Sequence, residues 1–594
     1  MFGTLGATKR WFSFLDMSNL DNLRHSCAHL LAKAVLELYP GAHNAIGPAI
    51  ENGFYQDFDM SKHEISEIDL PKIEAKMRDI LPSWTHFEFN EVTLDEAKKL
   101  FGHNPYKLEL LEEFASEDKK LLTNNPGDFL DLCKMGHVDN PSQELKYFKL
   151  QSVAGAYWRG NEKNKMLTII YGTAWQTQQE LDNYLNLLEE AKKRDHRKLG
   201  KELDLFTFSP LVGSGMPLYT PRGAHIRLAL TKFIEELQAP LGYQQVWTPQ
   251  IAKAELFKTS GHYEKYKEDM FKVLSSYSKE EFYLKPMNCP QHTQIYASQP
   301  RSYRDLPLRY TDFAMLYRDE RPGELNGLAR VRSFSQDDCH IFCREDQVDF
   351  EIDQALQMIK KAMDVFGFKY RYRLSTRDPQ HPEKYLGHPE IWDKVEKWAV
   401  EIMKRNKIEY YDGPGEAAFY APKMDLISTD ALGREWQLST VQIDYVQPER
   451  FGLKYIDKDG KEKIPVMIHR AVVGSPERMM MILIEHYGGA FPAWLAPVQA
   501  VVLPISDKHL EYAQHVANQL KSVNIRCDLD SKNEPLNARV RDAEMQKVPY
   551  VIVTGNKEVE QQSVTVRTRG QKETQTKKLE DFKNQLLDDI IKRR

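Results

Sequence analysis

Two histidines one helical turn apart, His25-x-x-x-His29, and a later Cys133-x-x-x-His137 offer four ligands whose types and spacing would satisfy a tetrahedral zinc. A second concentration of chemistry is guanidinium. Between Leu308 and Phe342, two strand-like runs joined by a Gly-containing loop present Arg318, Glu320, Arg330, Arg332, Gln336 and Asp338. Arginine grips polyphosphate bidentately, so such a hairpin suits a nucleotide; taken alone, surface ion pairs are the commoner origin of this charge. A further arginine, in Gly474-Ser475-Pro476-Glu477-Arg478, stands where an apolar helix begins, MMMILIEHYGG. The chain carries no G-x-x-x-x-G-K-[ST] loop and no G-x-G-x-x-G at a strand-to-helix turn, so a bound nucleotide needs another device.

The elements that must position these groups follow from periodicity. Apolar residues at 23, 27, 30, 31, 34, 35 and 38 predict a helix with His25 and His29 on its flank. Alternation from Met166 to Tyr171 predicts a strand, and Gln176 to Lys201, rich in Glu, Lys and Arg, predicts one connecting helix. Its KKRDHRK cluster is expected to be a solvated face rather than an RNA contact. From 202 to about 495, strand-like runs fall at Tyr243–Val246, Phe282–Leu284, Leu308–Tyr317, Ala329–Ser335, Lys369–Leu374, Arg434–Ile443 and Pro465–Ile468, predicting a largely antiparallel sheet. After Pro497, strands alternate with helices, the pattern of a small α/β domain.

The totals bound the class. The chain of 594 residues, 41% hydrophobic and 28% charged, has room for three or four domains. Its most apolar stretch, Ala490 to Ile505, is interrupted by Pro492, Pro497 and Pro504, which excludes a membrane helix there. Six cysteines without regular spacing point to a reducing, cytoplasmic setting. Net charge is −5, so RNA contact would use local patches; from 501 onward 17 Lys+Arg stand against 14 Asp+Glu. The first sixteen residues, MFGTLGATKRWFSFLD, are expected to be a disordered terminus rather than a transit peptide.

The hairpin and Gly474–Arg478 together resemble motifs 2 and 3 of class II aminoacyl-tRNA synthetases. The runs KTSGHYEKYKEDMF, KPMNCPQH, SFSQDDCHIFC, AFYAPKMD, REWQLSTVQIDY and PVMIHRAVVGSPER narrow this to a resemblance to the threonyl-tRNA synthetase family, from His25 to Arg569. The resemblance implies an α+β multidomain enzyme: a class II antiparallel-sheet catalytic core, an α+β editing domain and a C-terminal α/β anticodon-binding domain. The expected divisions are 1–19 as an N-terminal extension, 20–175 for editing, 176–201 as a linker helix, 202–497 for catalysis and 498–594 for the anticodon. It implies ATP, L-threonine and tRNA(Thr) as substrates, Mg2+ carried with ATP, and a homodimer meeting near Pro240 of motif 1.

The family roles fall on this sequence as follows. Arg318 contacts the α-phosphate and the amino-acid carboxylate, Glu320 reads the adenine amino group, Arg330 joins the ATP site, Phe334 is the adenine platform, and Arg478 contacts the γ-phosphate. The resemblance implies one zinc held by Cys289, His340 and His469, with Gln336, Asp338, Tyr420 and Gln437 around the threonine and His262 near the terminal ribose of the tRNA. Singly, Cys289 could be a small buried hydrophobe and each histidine a satisfied core group. Three protein ligands leave zinc an open position, and a metal that takes an amino group and a hydroxyl rejects valine.

Serine lacks only a methyl, worth about 1–3 kcal/mol, so a second, hydrolytic site is expected. The first domain resembles the editing domain shared with alanyl enzymes, implying roles for His25, His29, Lys107, Asp131, Cys133 and His137, in the threonyl branch without metal. Lys134-Met135-Gly136 departs from the family's usual loop before the histidine. About twenty residues precede His25, so the small ubiquitin-like domain of many relatives is expected to be absent. In the last domain, Asn533, Glu558 and Arg567 match anticodon-reading positions. A silent RNA-binding paralogue would have lost some of Arg318, Arg478 or Cys289, and a zinc hydrolase centred on His25 leaves the ATP-type site unexplained.

Overall fold

The computed structural model describes residues 19–117, 119–133 and 136–594, so Lys134 and Met135, and the opening segment weighed as a targeting sequence, lie outside the described residues. The chain divides into two compact units between Glu189 and Glu190.

The first unit opens with the expected helix, α1 (Asn19–Leu38), whose Cys27, Leu31 and Val35 pack on Phe54 and Phe58 of strand β1 (Gly53–Asp59). A second helix, α2 (Pro105–Ser116), starts on Asn104, whose side chain accepts from the backbone of Tyr106 and Lys107. Strands β2 (Leu122–Asn125) and β3 (Asp131–Leu132) lie in a small antiparallel sheet. The main sheet runs β1, β5, β4, where β4 is Tyr147–Tyr157 and β5 is Met166–Trp175, all antiparallel.

The predicted single connector helix is two helices, α3 (Gln178–Arg194) and α4 (His196–Glu202). Asp195 breaks it: its backbone leaves the helical region and its side chain accepts from Arg197 N as the cap of α4. Charge periodicity cannot see a capping aspartate inside a charged run.

In the second unit, α5 (Pro221–Gln238) leads to the short strand β6 (Gln244–Gln245), and α6 (Cys289–Ala297) precedes the hairpin of β7 (Leu308–Tyr317) and β8 (Ser333–Cys343). The second hairpin strand starts at Ser333, not at the predicted Ala329, because 329–332 belong to the loop. After α7 (Val348–Phe366) come β9 (Lys369–Thr376), β10 (Tyr410–Pro414), β11 (Lys423–Thr429), β12 (Glu435–Asp444), β13 (Val466–Ala471) and α8 (Pro476–Tyr487). Sheet order is β6-β7-β8-β13-β12-β11-β9-β10, antiparallel except for the parallel edge pairs β6/β7 and β9/β10.

One face of this sheet packs Cys339, Ile341 and Ile468 against Ile352, Ile359, Met480 and Leu483 of α7 and α8. Strand alternation therefore turns Gln336, Asp338, His340 and His469 to the opposite face.

The chain ends in a mixed sheet, β15-β14-β16-β17-β18, comprising β14 (Ala500–Pro504), β15 (Cys527–Leu529), β16 (Tyr550–Thr554), β17 (Ser563–Thr568) and β18 (Thr574–Lys578). Helices α9 (Leu510–Lys521), α10 (Leu536–Met545), α11 (Asn556–Gln561) and α12 (Leu579–Ile591) accompany it. Its own core joins Val502, Val516, Leu520, Ile552, Val564 and Phe582.

Candidate functional site

The guanidinium groups gather where α8 begins. Ser475 caps α8, its hydroxyl accepting from Arg478 N, and Arg478 Nε donates to Ala329 O at 3.2 Å. The turn before it is pinned to β8: Asp337 N donates to Gly474 O at 2.9 Å, and the Asp337 carboxylate accepts from Val472 and Val473 N and pairs with Arg470 at 3.0 Å. Glu477 Oε2 accepts from Ser335 N at 2.8 Å, a second tie between helix and strand.

Arg318 leaves the end of β7 with its guanidinium 5.0 Å over the Phe334 ring and Nη2 3.2 Å from Met287 Sδ. Glu320 is held by Arg330, 2.6 Å away, and Arg332 Nε donates to its carbonyl. Burial, then the charges of Arg318 and Arg330, bring Arg478 down to about 10, and burial lowers Arg318. Buried like charges that repel are a site built for an anion.

The Cys/His trio forms a second cluster on the sheet. His340 of β8 and His469 of β13 are directly opposed in register, with Nε2 and Nδ1 3.0 Å apart, and Cys289 is the first residue of α6. One donor atom from each of the three buried side chains lies within 4.8 Å of the others. His469 Nε2 donates to Asp444 Oδ2 at 2.7 Å, which leaves Nδ1 with its lone pair toward the trio. One thiolate and two imidazoles from three elements fit zinc with a position left open.

The adjoining cavity is lined by Met287, Gln336, Asp338, Tyr420, Gln437 and Gln442, among others. Gln336 Oε1 and Gln442 Oε1 are buried without partners, as acceptors waiting for a donor would be. Burial, with Asp312 and Asp337 nearby, pushes Asp338 up to about 7. Gln437 is engaged from both ends, donating to Asp425 and accepting from Arg373.

Gln442 escaped the sequence reading for a local reason. A bulge in β12 places Ile427 opposite Gln437 and Leu426 opposite Ser439, skipping Leu438, so Gln437 and Gln442 share a face although they lie five positions apart, an odd spacing. His262, expected near a tRNA ribose, is fully buried: its Nδ1 donates to Ser260 Oγ at 2.8 Å and its Nε2 lies 3.8 Å from Cys289 Sγ. Burial takes it down to about 3, so it is neutral near pH 7.

In the first unit, His25, His29, Cys133 and His137 converge. His25 Nδ1 faces Gly136 O, His29 Nδ1 faces Asp131 Oδ2 and His137 Nδ1 faces Ser26 Oγ, each at 3.1 Å, so the Nε2 atoms turn inward. Cys133 Sγ is 3.1 Å from His137 Nε2, and Asn124 Nδ2 donates to that nitrogen at 2.9 Å. Lys107 Nζ pairs with Asp131 Oδ1 at 2.7 Å. Burial alone would lower His29, but Asp131 and Cys133 raise it to about 9. Burial alone would raise Cys133, but His25 and His137 draw it well below the thiol range. A buried imidazolium beside a thiolate can hold and pass a proton.

In the C-terminal sheet, Glu558 caps α11 through Gly555 N and accepts from Thr565 Oγ1 at 2.7 Å, and Arg567 of β17 pairs with Glu544 at 2.9 Å. Asn533 is exposed in the loop before α10.

An eight-stranded, largely antiparallel core, a strand hairpin bearing Arg318 and a helix start bearing Arg478 define a class II aminoacyl-tRNA synthetase. Family models agree: "tRNA synthetase class II core domain (G, H, P, S and T)" matches 271–487 and "Anticodon binding domain" matches 499–589. The chain belongs to the threonyl-tRNA synthetase family. It is 48% identical over 575 residues to "Threonine--tRNA ligase" of Rubrobacter xylanophilus, covering 96% of this chain and 89% of that one. Its counterpart in Streptococcus gordonii is 46% identical over 573 residues, covering 96% and 88%. Among solved structures, the RNA binding domain of threonyl-tRNA synthetase from Cryptosporidium parvum aligns with TM-score 0.64 and 37% identity over 66% of this chain and 98% of that one. The putative threonyl-tRNA synthetase ThrRS-1 of Aeropyrum pernix aligns with TM-score 0.59 and 29% identity over 67% and 97%.

Proposed function

We propose that the protein activates threonine with ATP, transfers it to tRNA(Thr), and hydrolyses seryl-tRNA(Thr) in its first unit. The observation that carries this is that Arg318 lies against Met287, which lines the same cavity as His469 of the Cys289–His340–His469 trio, a cavity with unpartnered amide oxygens.

Arg318 grips the α-phosphate beside the threonine carboxylate, Arg478 the γ-phosphate, and Glu320 with Arg330 the adenine end; Mg2+ arrives with ATP. Stacking on Phe334 shares its ring with Arg318. Both arginines are held before substrate arrives, Arg318 by Phe334 and Met287 and Arg478 by the Ala329 carbonyl, which lowers the reorganisation needed as charge develops. Cys289, His340 and His469 would hold zinc, which supplies a Lewis-acid site that recognises amino and hydroxyl groups together. Gln336, Asp338, Tyr420, Gln437 and Gln442 line the remaining threonine pocket, and His262, which lies against Cys289, serves transfer at the terminal ribose of the tRNA.

In the first unit, Cys133 and the three inward Nε2 atoms position water and move its proton; Asn124 donates to His137 Nε2 and so occupies a lone pair that a metal would need, which favours metal-free hydrolysis. Lys107 and Asp131 fix His29. Asn533, Glu558 and Arg567 contact the anticodon. The divisions at 20–175, 176–201, 202–497 and 498–594 are kept as the bounds of this reading; the chain's two compact units divide inside the connector, between Glu189 and Glu190. Exposed Leu228 (64%) and Trp247 (82%), flanking Pro240, support a homodimer through motif 1 in a cytoplasmic enzyme. Among the described residues no helix is long and apolar enough to cross a membrane.

The test is ATP–pyrophosphate exchange with threonine, serine and valine on protein stripped of zinc and restored. Zinc-dependent exchange with threonine, less with serine and almost none with valine is expected. Restored protein inactive with all three amino acids would defeat the reading.

A further inference from the structure

A third group of metal-type donors, Asp195, His196 and Glu485, also lies within 4.8 Å. Its hydrogen bonds give it a different job, because both ring nitrogens of His196 are already committed. Leu328 N donates to Nε2 at 3.1 Å, which puts the ring proton on Nδ1, and Nδ1 donates to Glu485 Oε1 at 2.7 Å. The His196 backbone N–H donates to the same oxygen at 3.1 Å. His196 and Glu485 are both buried, so the loss of either partner leaves a polar group stranded.

Two arms run from this pair to the ATP site. Leu328 immediately precedes Ala329, whose carbonyl accepts from Arg478 Nε. The other arm leaves through Glu485 Oε2, which pairs with Arg434; Arg434 and Trp436 share Asp430 Oδ2 at 2.7 and 2.8 Å, and the Trp436 ring lies 5.9 Å from the Arg478 guanidinium. Both arms end on Arg478. Gly327 brings the loop against the ring with φ +47°, and a Cβ there would stand 2.1 Å from His196 Nε2. Arg194, two residues before His196, donates to the last carbonyls of α8 at Glu485 and His486.

We propose that His196, in the connector, is a positioning residue for ATP: it holds the 327–329 turn and, through Glu485, Trp436, in the arrangement in which Arg478 meets the phosphates. The assignment rests on the reading of Arg478 as a phosphate ligand.

The test is ATP–pyrophosphate exchange by the full chain with His196→Ala, Gly327→Ala and the double variant, varying ATP and threonine separately, alongside thermal unfolding. Each single substitution should raise KM for ATP about 5- to 10-fold, the loss of roughly one hydrogen bond, and leave KM for threonine within twofold. The double variant should cost less than the two effects combined, since both act on one contact. An unchanged KM for ATP in folded His196→Ala, or equal rises for ATP and threonine with a lower unfolding temperature, overturns the proposal. Absence of exchange in the unsubstituted chain would instead defeat the synthetase reading itself.

Discussion

At the scale of single residues, the site turns on groups that hold other groups. Asp444 touches no substrate in this reading, yet its bond to His469 Nε2 decides which ring nitrogen is free for a metal. Asp444→Asn should weaken zinc binding by about 10- to 100-fold, the usual cost of removing such a partner. Competition with a chromophoric chelator measures it, and unchanged zinc affinity would remove Asp444 from that role. In the first unit, His29 is held at about 9, above its ordinary 6.5, by Asp131 and Cys133 against burial. The folded state therefore keeps a proton that the unfolded chain releases. The resulting stabilisation is fully present below about pH 6.5 and is lost as pH rises through about 9. Thermal unfolding of the first unit should fall across that window, and Asp131→Asn should flatten the dependence. A wild-type profile level from pH 6 to 9.5 would contradict it.

At the scale of elements, what was legible is what periodicity and punctuation encode. The α1 stripe, the hairpin strand Leu308–Tyr317 and the strand–helix alternation after Pro497 all stand as expected. The failures have local physical causes. Asp195 cuts the connector because a side-chain cap outcompetes continuation of the helix, and the bulge at Leu438 reverses alternation, hiding Gln442 from a period-2 count. The trio of Cys289, His340 and His469 carried no spacing signal; two strands in register and a helix start bring it together, and only the family resemblance named it. Glycine marks another such meeting. Gly223 lies in the first turn of α5, where an added Cβ would stand 1.8 Å from the carbonyl oxygen of Leu205. Backbone must move to admit it, so Gly223→Ala should cost about 1–3 kcal/mol, read as a lower unfolding midpoint of the catalytic unit. A midpoint equal to wild type would show that the 205 loop yields freely.

At the scale of the whole molecule, two chemistries are divided between two units with separate cores, and that division makes discrimination testable. The cavity beside the trio can reject valine by leaving buried oxygens unpaired, but against serine it has only a methyl, about 1–3 kcal/mol or roughly 10- to 200-fold. Serine should therefore be activated at roughly 0.5 to 10 per cent of the threonine rate, and some seryl-tRNA should form in every preparation of the enzyme. Its removal falls to Cys133 and the inward histidines, which pack on α1 and β2 rather than on the catalytic sheet. Cys133→Ala should leave ATP–pyrophosphate exchange with both amino acids within twofold of wild type, because that reaction needs only the second unit. The same variant should accumulate stable seryl-tRNA(Thr) where the wild type holds almost none. Accumulation with altered exchange would mean the units do not act independently; unchanged exchange with no accumulation would place serine rejection in the synthetic cavity and leave the buried cysteine without a hydrolytic role.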